Sequence, residues 1–270
     1  MADLESIVEA VLESAKYRTI APEFVRKIAA EELRKFPKSK EAIKATKNRL
    51  HQVAGAYLSA LPNYDSWLER LSAAADADER REICRALMQT HASTRERLLI
   101  LDDFYQKILA DIAPVRSVLD LACGLNPLAI PFMPLADDAT YFACDLYTDQ
   151  ADFFNRAFPL LGVNGSAWAA DVTQTVPQQH VDLALVIKAI PCLQQIDKGI
   201  GLRLLEGVQA DHMLVSYPTQ SIGGREKGMR ATYEAQFNEL VAGKGWTIRR
   251  YDFPTELAFL ITKTTGTQKA

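Results

Sequence analysis

Two regimes of apolar spacing divide this chain. From Leu4 to Ile112 apolar residues recur every three or four positions in "LESIVEAVLESA", "PEFVRKIAAEELRKF", "KEAIKATKNRLHQVAGAYL", "YDSWLERLSAAADA", "ERREICRALMQTH" and "TRERLLILDDFYQKILADI", the spacing that lines one face of an α-helix. Pro22 and Pro37 punctuate the series, and Ser93 or Thr94 is expected to cap the last helix. From Val115 short β-branched and aromatic runs alternate with helical stretches, the signature of βαβ units on a mostly parallel sheet. Strands are expected at "RSVLDLA", "TYFACDL", "SAWAADV", "VDLALVIKAI", "HMLVSYP", "WTIRRYDF" and "LAFLITK". The last two follow each other without a helix between them, which predicts an antiparallel pair at one end of the sheet. The chain therefore divides into an all-α part, residues 1–110, and an α/β domain, residues 111–270.

Composition narrows the class. With 48% hydrophobic and 24% charged residues, the 270-residue chain resembles an ordinary globular protein and not a disordered one. Cys84, Cys123, Cys144 and Cys192 lack CxxC spacing and sit in apolar surroundings, so they are expected to be reduced thiols. His51, His91, His180 and His212 do not cluster with them, and no metal is expected. The N-terminus lacks a basic region followed by an apolar core, and no run of about 18 apolar residues occurs. A cytoplasmic protein without a membrane partner is the expectation.

Charge is unevenly placed on a net of −3. Between Lys16 and Arg49 eleven basic residues face four acidic ones, a local surplus of seven. Such a surplus suits a polyanion, because each phosphate contacted releases counterions. A solvated helix face fits the charge equally well.

The chemistry concentrates after the first strand, in "SVLDLACGLNPLA". A tight turn from a parallel strand into a helix presents backbone N–H groups and the positive end of a helix dipole to a polar ligand. In the usual methyltransferase form an acid is followed by three alternating glycines. Here Asp120 is followed by Ala122, Gly124 and Asn126. Ala122 keeps the turn small, and Asn126, tolerant of left-handed backbone and a good N-cap, is expected to start the helix with Pro127. A ligand-free turn fits the glycine pattern alone. Asp145 ends the next strand about 20 residues on, where an acid can accept from ribose hydroxyls. Asp171, with Val172, ends the third strand and could take an adenine amino group. Together these acids favour an adenosyl cofactor. A nicotinamide dinucleotide is disfavoured by the single glycine, and a P-loop by the lack of GK[ST].

"HASTRERL", "LDLACGLNPLA", "ALVIKAIPCL", "SYPTQSIGGREKGM" and "TELAFLITK" occur in this order, with "AKYR" and "RLHQVAGAY" upstream. The constellation closely resembles the aminoglycoside-resistance 16S rRNA methyltransferases that modify guanine N7 in the decoding site, the Arm or Rmt family, over nearly the whole chain. The resemblance implies a helical N-terminal extension that docks on the small ribosomal subunit. It also implies a class I, Rossmann-like seven-stranded domain that uses S-adenosyl-L-methionine. The implied partner is 16S rRNA within the 30S subunit, met by a monomer that binds no DNA.

Carried over by residue, the resemblance puts His91, Ala92, Ser93 and Arg97 at the cofactor, with Arg97 on the methionine carboxylate, where its planar fork is suited. Ala122 and Gly124 border the methionine, Asp145 the ribose, Asp171 and Val172 the adenine, and Ile187 its face. Tyr57 closes the pocket from the helical side. Lys188, Arg225 and Lys227 act on the RNA, the latter two from a glycine-rich loop containing Gly223, Gly224 and Gly228. Lys16, Arg18 and Arg49 dock on the rRNA backbone through contacts that position and do not read sequence. Ala189 and Glu226 depart from relatives that carry a larger apolar residue and a glycine there. Guanine N7 carries a lone pair and no proton near neutral pH, so orientation and electrostatics replace a general base.

Three rivals stand beside this. Pro191-Cys192 after the fourth strand resembles the Pro-Cys nucleophile of cytosine-C5 methyltransferases, although only Lys188 is near enough to lower the thiol pKa. An adenine-N6 enzyme is expected to carry Asn or Asp before Pro-Pro-aromatic, which "KAIPCL" lacks. A ribosome-binding module with a degenerate turn would be no enzyme.

Overall fold

In the computed structural model, which describes residues 3–55, 62–220 and 228–263, the second half of the chain builds a seven-stranded sheet. Its strands are β1 (Val115–Leu121), β2 (Leu135–Asp145), β3 (Asn164–Ala169), β4 (Val181–Ile187), β5 (Ala210–Pro218), β6 (Thr247–Asp252) and β7 (Glu256–Thr262), in the order β3-β2-β1-β4-β5-β7-β6. The first five are mutually parallel, and β7 runs antiparallel to both β5 and β6. The antiparallel end expected from the sequence is present. The internal strand β7 is buried almost throughout, whereas the edge strand β6 exposes Thr247, Arg249, Arg250 and Asp252, charges that discourage further strand pairing.

Period-two alternation sends the strands' side chains to two cores. Val118, Leu183, Leu185 and Ile187 belong to one, Leu119, Leu121, Ala184 and Val186 to the other. Because both faces of β4 are covered, its sequence is apolar apart from Asp182 near its start, as a central parallel strand requires.

The N-terminal half supplies α1 (Leu4–Leu12), α2 (Pro22–Lys35), α3 (Ser39–Leu50), α4 (Tyr64–Ala73), α5 (Ala77–Met88), α6 (Ala92–Arg97) and α7 (Leu101–Leu109). Helices α1 to α3 pack around Ile7, Phe24, Ile28 and Leu50. Leu68, Ile83, Leu87, Phe104 and Ile108 of α4, α5 and α7 instead join the core on one face of the sheet, with α8 (Thr148–Ala157). The core on this face of the sheet thus draws on helices before residue 110 as well as elements after it, and a separate apolar cluster gathers α1 to α3 with Val53 and Tyr147. On the opposite face lie α9 (Ile190–Leu193), α10 (Ile200–Gly207) and α11 (Met229–Val241).

Two local expectations are corrected. The helix expected over residues 94–112 is broken at Leu98–Ile100, where Leu98 and Ile100 donate to the carbonyls of Arg95 and Arg97. The turn lets Arg97 face Glu256 while Leu101, Phe104 and Ile108 face the sheet. Neither Ser93 nor Thr94 is the cap. His91 holds that position, and the Thr94 hydroxyl donates to the Met88 and His91 carbonyls. After β1 the chain enters a 3₁₀ segment, Asn126–Phe132, whose N-cap is Leu125 and which contains Pro131. Asn126 starts that segment but caps nothing, because its side chain is buried and engaged elsewhere.

Candidate functional site

The parallel strands β1, β2 and β4 end at one edge of the sheet, where β2 and β4 lie on opposite sides of β1. This is the switch point at which open α/β sheets bind ligands. A cavity of about 340 Å³ opens there. Its wall contains His91, Ala92, Ser93, Arg97, Ala122, Gly124, Asp145, Asp171, Val172, Ile187 and Lys188. Every cofactor-site residue expected from the sequence and present among the described residues therefore meets in one place, together with the expected substrate residue Lys188.

The turn after β1 is strained where the chain passes the cavity. Ala122 has φ 50° and Gly124 φ 49°, the left-handed region that disfavours residues with a Cβ. The positive φ falls on Ala122 and Gly124, not on Asn126. Gly124 also lies against His91, since a Cβ there would stand 3.1 Å from the His91 Cε1. The Gly124 N–H donates to Asp145 Oδ2 at 2.8 Å and the Leu146 N–H to Oδ1 at 2.6 Å. The Gln150 amide of α8 donates to the Gly124 carbonyl at 2.6 Å. Burial pushes the Asp145 carboxyl above its usual range, against the two backbone N–H groups. Burial, with Lys188 and Arg97 nearby, lowers the His91 imidazole to about 4, so it is neutral near pH 7.

Beneath the turn lies a charged network that the sequence did not disclose. Arg97 is fully buried and donates through Nε to Glu256 Oε1 at 2.6 Å, through Nη2 to Oε2 at 3.3 Å, and through Nη1 to Asn126 Oδ1 at 2.5 Å. Of its five N–H groups, one on each terminal nitrogen has no partner among the described hydrogen bonds. Tyr105 donates to Asn126 Oδ1, and the Asn126 amide donates to Asp120 Oδ2, which also accepts from Tyr141. Burial pushes the Asp120 carboxyl up to about 7 in spite of those two donors. Burial opposes ionisation of Glu256 as well, yet Arg97 and Lys188 hold its carboxyl below the usual range.

Lys188 follows the last residue of β4 with φ 55°, a conformation that costs a non-glycine residue about 1–3 kcal/mol and is typical of functional sites. Its ammonium donates to the Ser93 carbonyl at 3.0 Å and to Glu96 Oε2 at 2.8 Å, and lies 3.3 Å from Glu256 Oε1. It is buried against α6 instead of reaching outward to phosphate. Glu96, Asn126 and Gln150 line the cavity, and Glu256 lies behind Arg97. The functional roles of these four were missed, although Glu96 and Glu256 fall inside "HASTRERL" and "TELAFLITK". Cys192 also lines the cavity, with Sγ 3.6 Å from the Lys188 carbonyl, an arrangement a protonated thiol satisfies by donating.

The chain matches the family model described as "Ribosomal RNA methyltransferase (FmrO)" over residues 13–260. It belongs to that family. A 16S rRNA (guanine(1405)-N(7))-methyltransferase of Frankia casuarinae is 38% identical, over 96% of this chain and 93% of the relative. One of Serratia marcescens is 34% identical, over 97% and 99%. Among solved structures, 16S rRNA methyltransferase RmtF in complex with S-adenosyl-L-homocysteine superposes with a TM-score of 0.80 at 28% identity, covering 98% of this chain and all of that one. The 16S rRNA methylase RmtB does so at 0.79 and 30% identity, covering 97% and 98%. The sheet is accordingly the Rossmann-like sheet of the S-adenosylmethionine-dependent methyltransferases, with the helical N-terminal extension of this family.

The cavity's chemistry fits the cofactor of such an enzyme. Asp145 offers acceptors at a strand end, Arg97 a buried guanidinium, Ala122 and Gly124 a turn without bulk, and Val172 and Ile187 apolar walls. Asp171 is more heavily engaged than an adenine reader needs to be. Its Oδ1 accepts from the Thr173 N–H and hydroxyl, and its Oδ2 from Lys27 at 2.9 Å and Gln174 at 3.0 Å.

The residues expected on rRNA are dispersed. Lys16 and Arg18 are exposed, and Lys16 Nζ lies 2.9 Å from His51 Nδ1. Arg49 is half-buried and donates to the Gln195 carbonyl at 2.7 Å, so it joins the helical unit to the cavity wall and is not presented to a phosphate. Tyr57, Gly223, Gly224, Arg225, Glu226 and Lys227 lie outside the described residues. Gly228 is described, with φ 83° at the N-cap of α11. No metal-binding group of His, Cys, Asp or Glu is found among the described residues, and no described helix is long and apolar enough to cross a membrane.

Proposed function

We propose that this chain transfers a methyl group from S-adenosyl-L-methionine to N7 of guanine 1405 of 16S rRNA, as the names of its relatives state for them, and thereby confers aminoglycoside resistance. The substrate form is the assembled 30S subunit, met in the cytoplasm by a monomer. The observation that carries this is the convergence of the motif residues from "HASTRERL", "DLACG", Asp145, Asp171 and "IK" on one cavity in a member of the rRNA methyltransferase family.

When bound, S-adenosylmethionine supplies an electrophilic methyl group. Arg97 directs its remaining N–H groups to the methionine carboxylate, and Asp145 accepts from the ribose hydroxyls. Asp171 and Val172 border the adenine, with Ile187 against its face. His91, Ala92 and Ser93 close the methionine side. Lys188 and Arg225 position the guanine, and Lys227 meets its phosphates. No residue need remove a proton from N7, so the protein's part is alignment and tolerance of the positive charge that grows on the purine. The carboxylates of Glu96 and Glu256 lie at and just behind the cavity wall and favour that charge. Lys16 and Arg18, both exposed, dock on the rRNA backbone.

The test is primer extension on 16S rRNA after borohydride and aniline treatment, comparing cells with and without the gene. A new stop at guanine 1405 is expected. A stop at another base, or none, overturns the assignment.

A further inference from the structure

The unit built on α1 to α3 is attached to the rest of the protein around the cofactor cavity itself. The Ala21 N–H donates to the Leu146 carbonyl and the Thr148 N–H to the Thr19 carbonyl, so the seam follows directly on Asp145. Arg49 holds Gln195 on the opposite wall. The third attachment is ionic. Lys27 of α2 reaches across 144 positions of sequence to donate to Asp171 Oδ2 at 2.9 Å, and it donates to the Thr173 hydroxyl at 2.7 Å.

This attachment bears on the cavity more than the other two do. The Asp171 side chain is 7% exposed and Lys27 24%, so the pair is partly desolvated and removal of either partner leaves the other poorly compensated. Four donors surround the carboxylate, and Lys27 is the cationic one. Of the four, the Gln174 amide is exposed and its hydrogen bond is the one most readily exchanged for a donor on a ligand. Lys27 and Thr173 then keep the carboxylate ionised and in place.

We infer that Lys27 is a positioning residue of the cofactor site, supplied by the helical unit, and that it links cofactor occupancy to the attachment of that unit. The inference rests on the adenosyl cofactor proposed above. Linkage is reciprocal: if an ordered Lys27–Asp171 pair favours the cofactor, the cofactor favours the docked unit, and with it the surface that carries Lys16 and Arg18.

Three proteins decide it: wild type, Lys27→Met and Lys27→Arg, each checked for folding by circular dichroism and thermal unfolding. Calorimetry with S-adenosylhomocysteine should show binding weakened by about fivefold or more in Lys27→Met and largely restored in Lys27→Arg. In turnover, the Lys27→Met effect should fall on KM for S-adenosylmethionine and spare kcat at saturating cofactor. S-adenosylhomocysteine should tighten 30S binding by wild type, and that tightening should be absent in Lys27→Met. Unchanged S-adenosylhomocysteine affinity in folded Lys27→Met overturns the inference, as does a loss of 30S affinity that is equal with and without the ligand. Should Lys27→Met fail to fold, Lys27→Gln takes its place. Failure of the wild type itself to bind S-adenosylhomocysteine is a different result, and removes the cofactor assignment.

Discussion

Arg97 and Glu256 form an ion pair at 2.6 Å in which neither side chain is reached by solvent. The pair joins α6 to the start of β7, with Arg97 in the cavity wall and Glu256 behind it. Breaking a buried pair from one side costs about 3–5 kcal/mol, because the remaining charge is uncompensated. Glu256→Gln should lose stability of that order in urea unfolding and should bind S-adenosylhomocysteine more weakly. A variant as stable as wild type would show that Arg97 is not held by this partner.

The pH dependence of stability follows from two buried groups of opposite sign. Asp120 titrates near 7 when folded, against about 3.9 unfolded. Its contribution is complete below the unfolded value and is lost as pH rises through about 7. His91, lowered to about 4 from an unfolded value of about 6.5, works the other way, and its contribution grows as pH rises between those values. Asp120→Asn removes the falling component. Its stability should therefore climb relative to wild type between pH ~4 and ~7. Parallel urea curves for the two proteins across that window would contradict the assignment.

Gly124 and Asn126 should separate binding from stability. Gly124 combines φ 49° with an approach of 3.1 Å to His91, so Gly124→Val should abolish S-adenosylhomocysteine binding in calorimetry, at a stability cost of about 1–2 kcal/mol from the backbone. As the N-cap that the sequence leads one to expect, Asn126 could be replaced by glycine at a cost of only a few tenths of a kcal/mol. The structure reverses that expectation, because the change leaves Arg97, Tyr105 and Asp120 without their shared partner. A loss of about 3 kcal/mol is expected, and a loss below about 1 kcal/mol would overturn it.

Cys192 provides the test against cytosine chemistry. Its thiol donates to the Lys188 carbonyl, just before its own short helix, and N7 methylation requires no covalent nucleophile. Cys192→Ala should still methylate intact small subunits. Complete loss of methylation in a folded variant would restore the covalent mechanism.

The exposed cations of the helical unit should act through phosphate. Lys16→Ala with Arg18→Ala should weaken 30S binding and flatten its salt dependence by about one unit of log–log slope for each phosphate that is no longer neutralised. A weakened affinity with the salt slope unchanged would assign these residues to folding instead.

Much of the molecule was present in local pattern. Apolar spacing of three to four, then of two, is set by residues close in the chain, so the helices, the seven strands and the antiparallel end could be read before any tertiary pairing was known. The motif residues at strand ends were readable for the same reason, since a sheet brings the ends of its parallel strands to one edge. What local pattern could not supply was partnership across distance. Arg97 meets Glu256 over 159 positions, and Lys27 meets Asp171 over 144. Packing alone broke the helix at Leu98, placed α4, α5 and α7 in the core of the sheet, turned Asn126 from a cap into a hub and drew Lys188 inward. Such choices depend on which charges are desolvated together, and only the folded chain determines that.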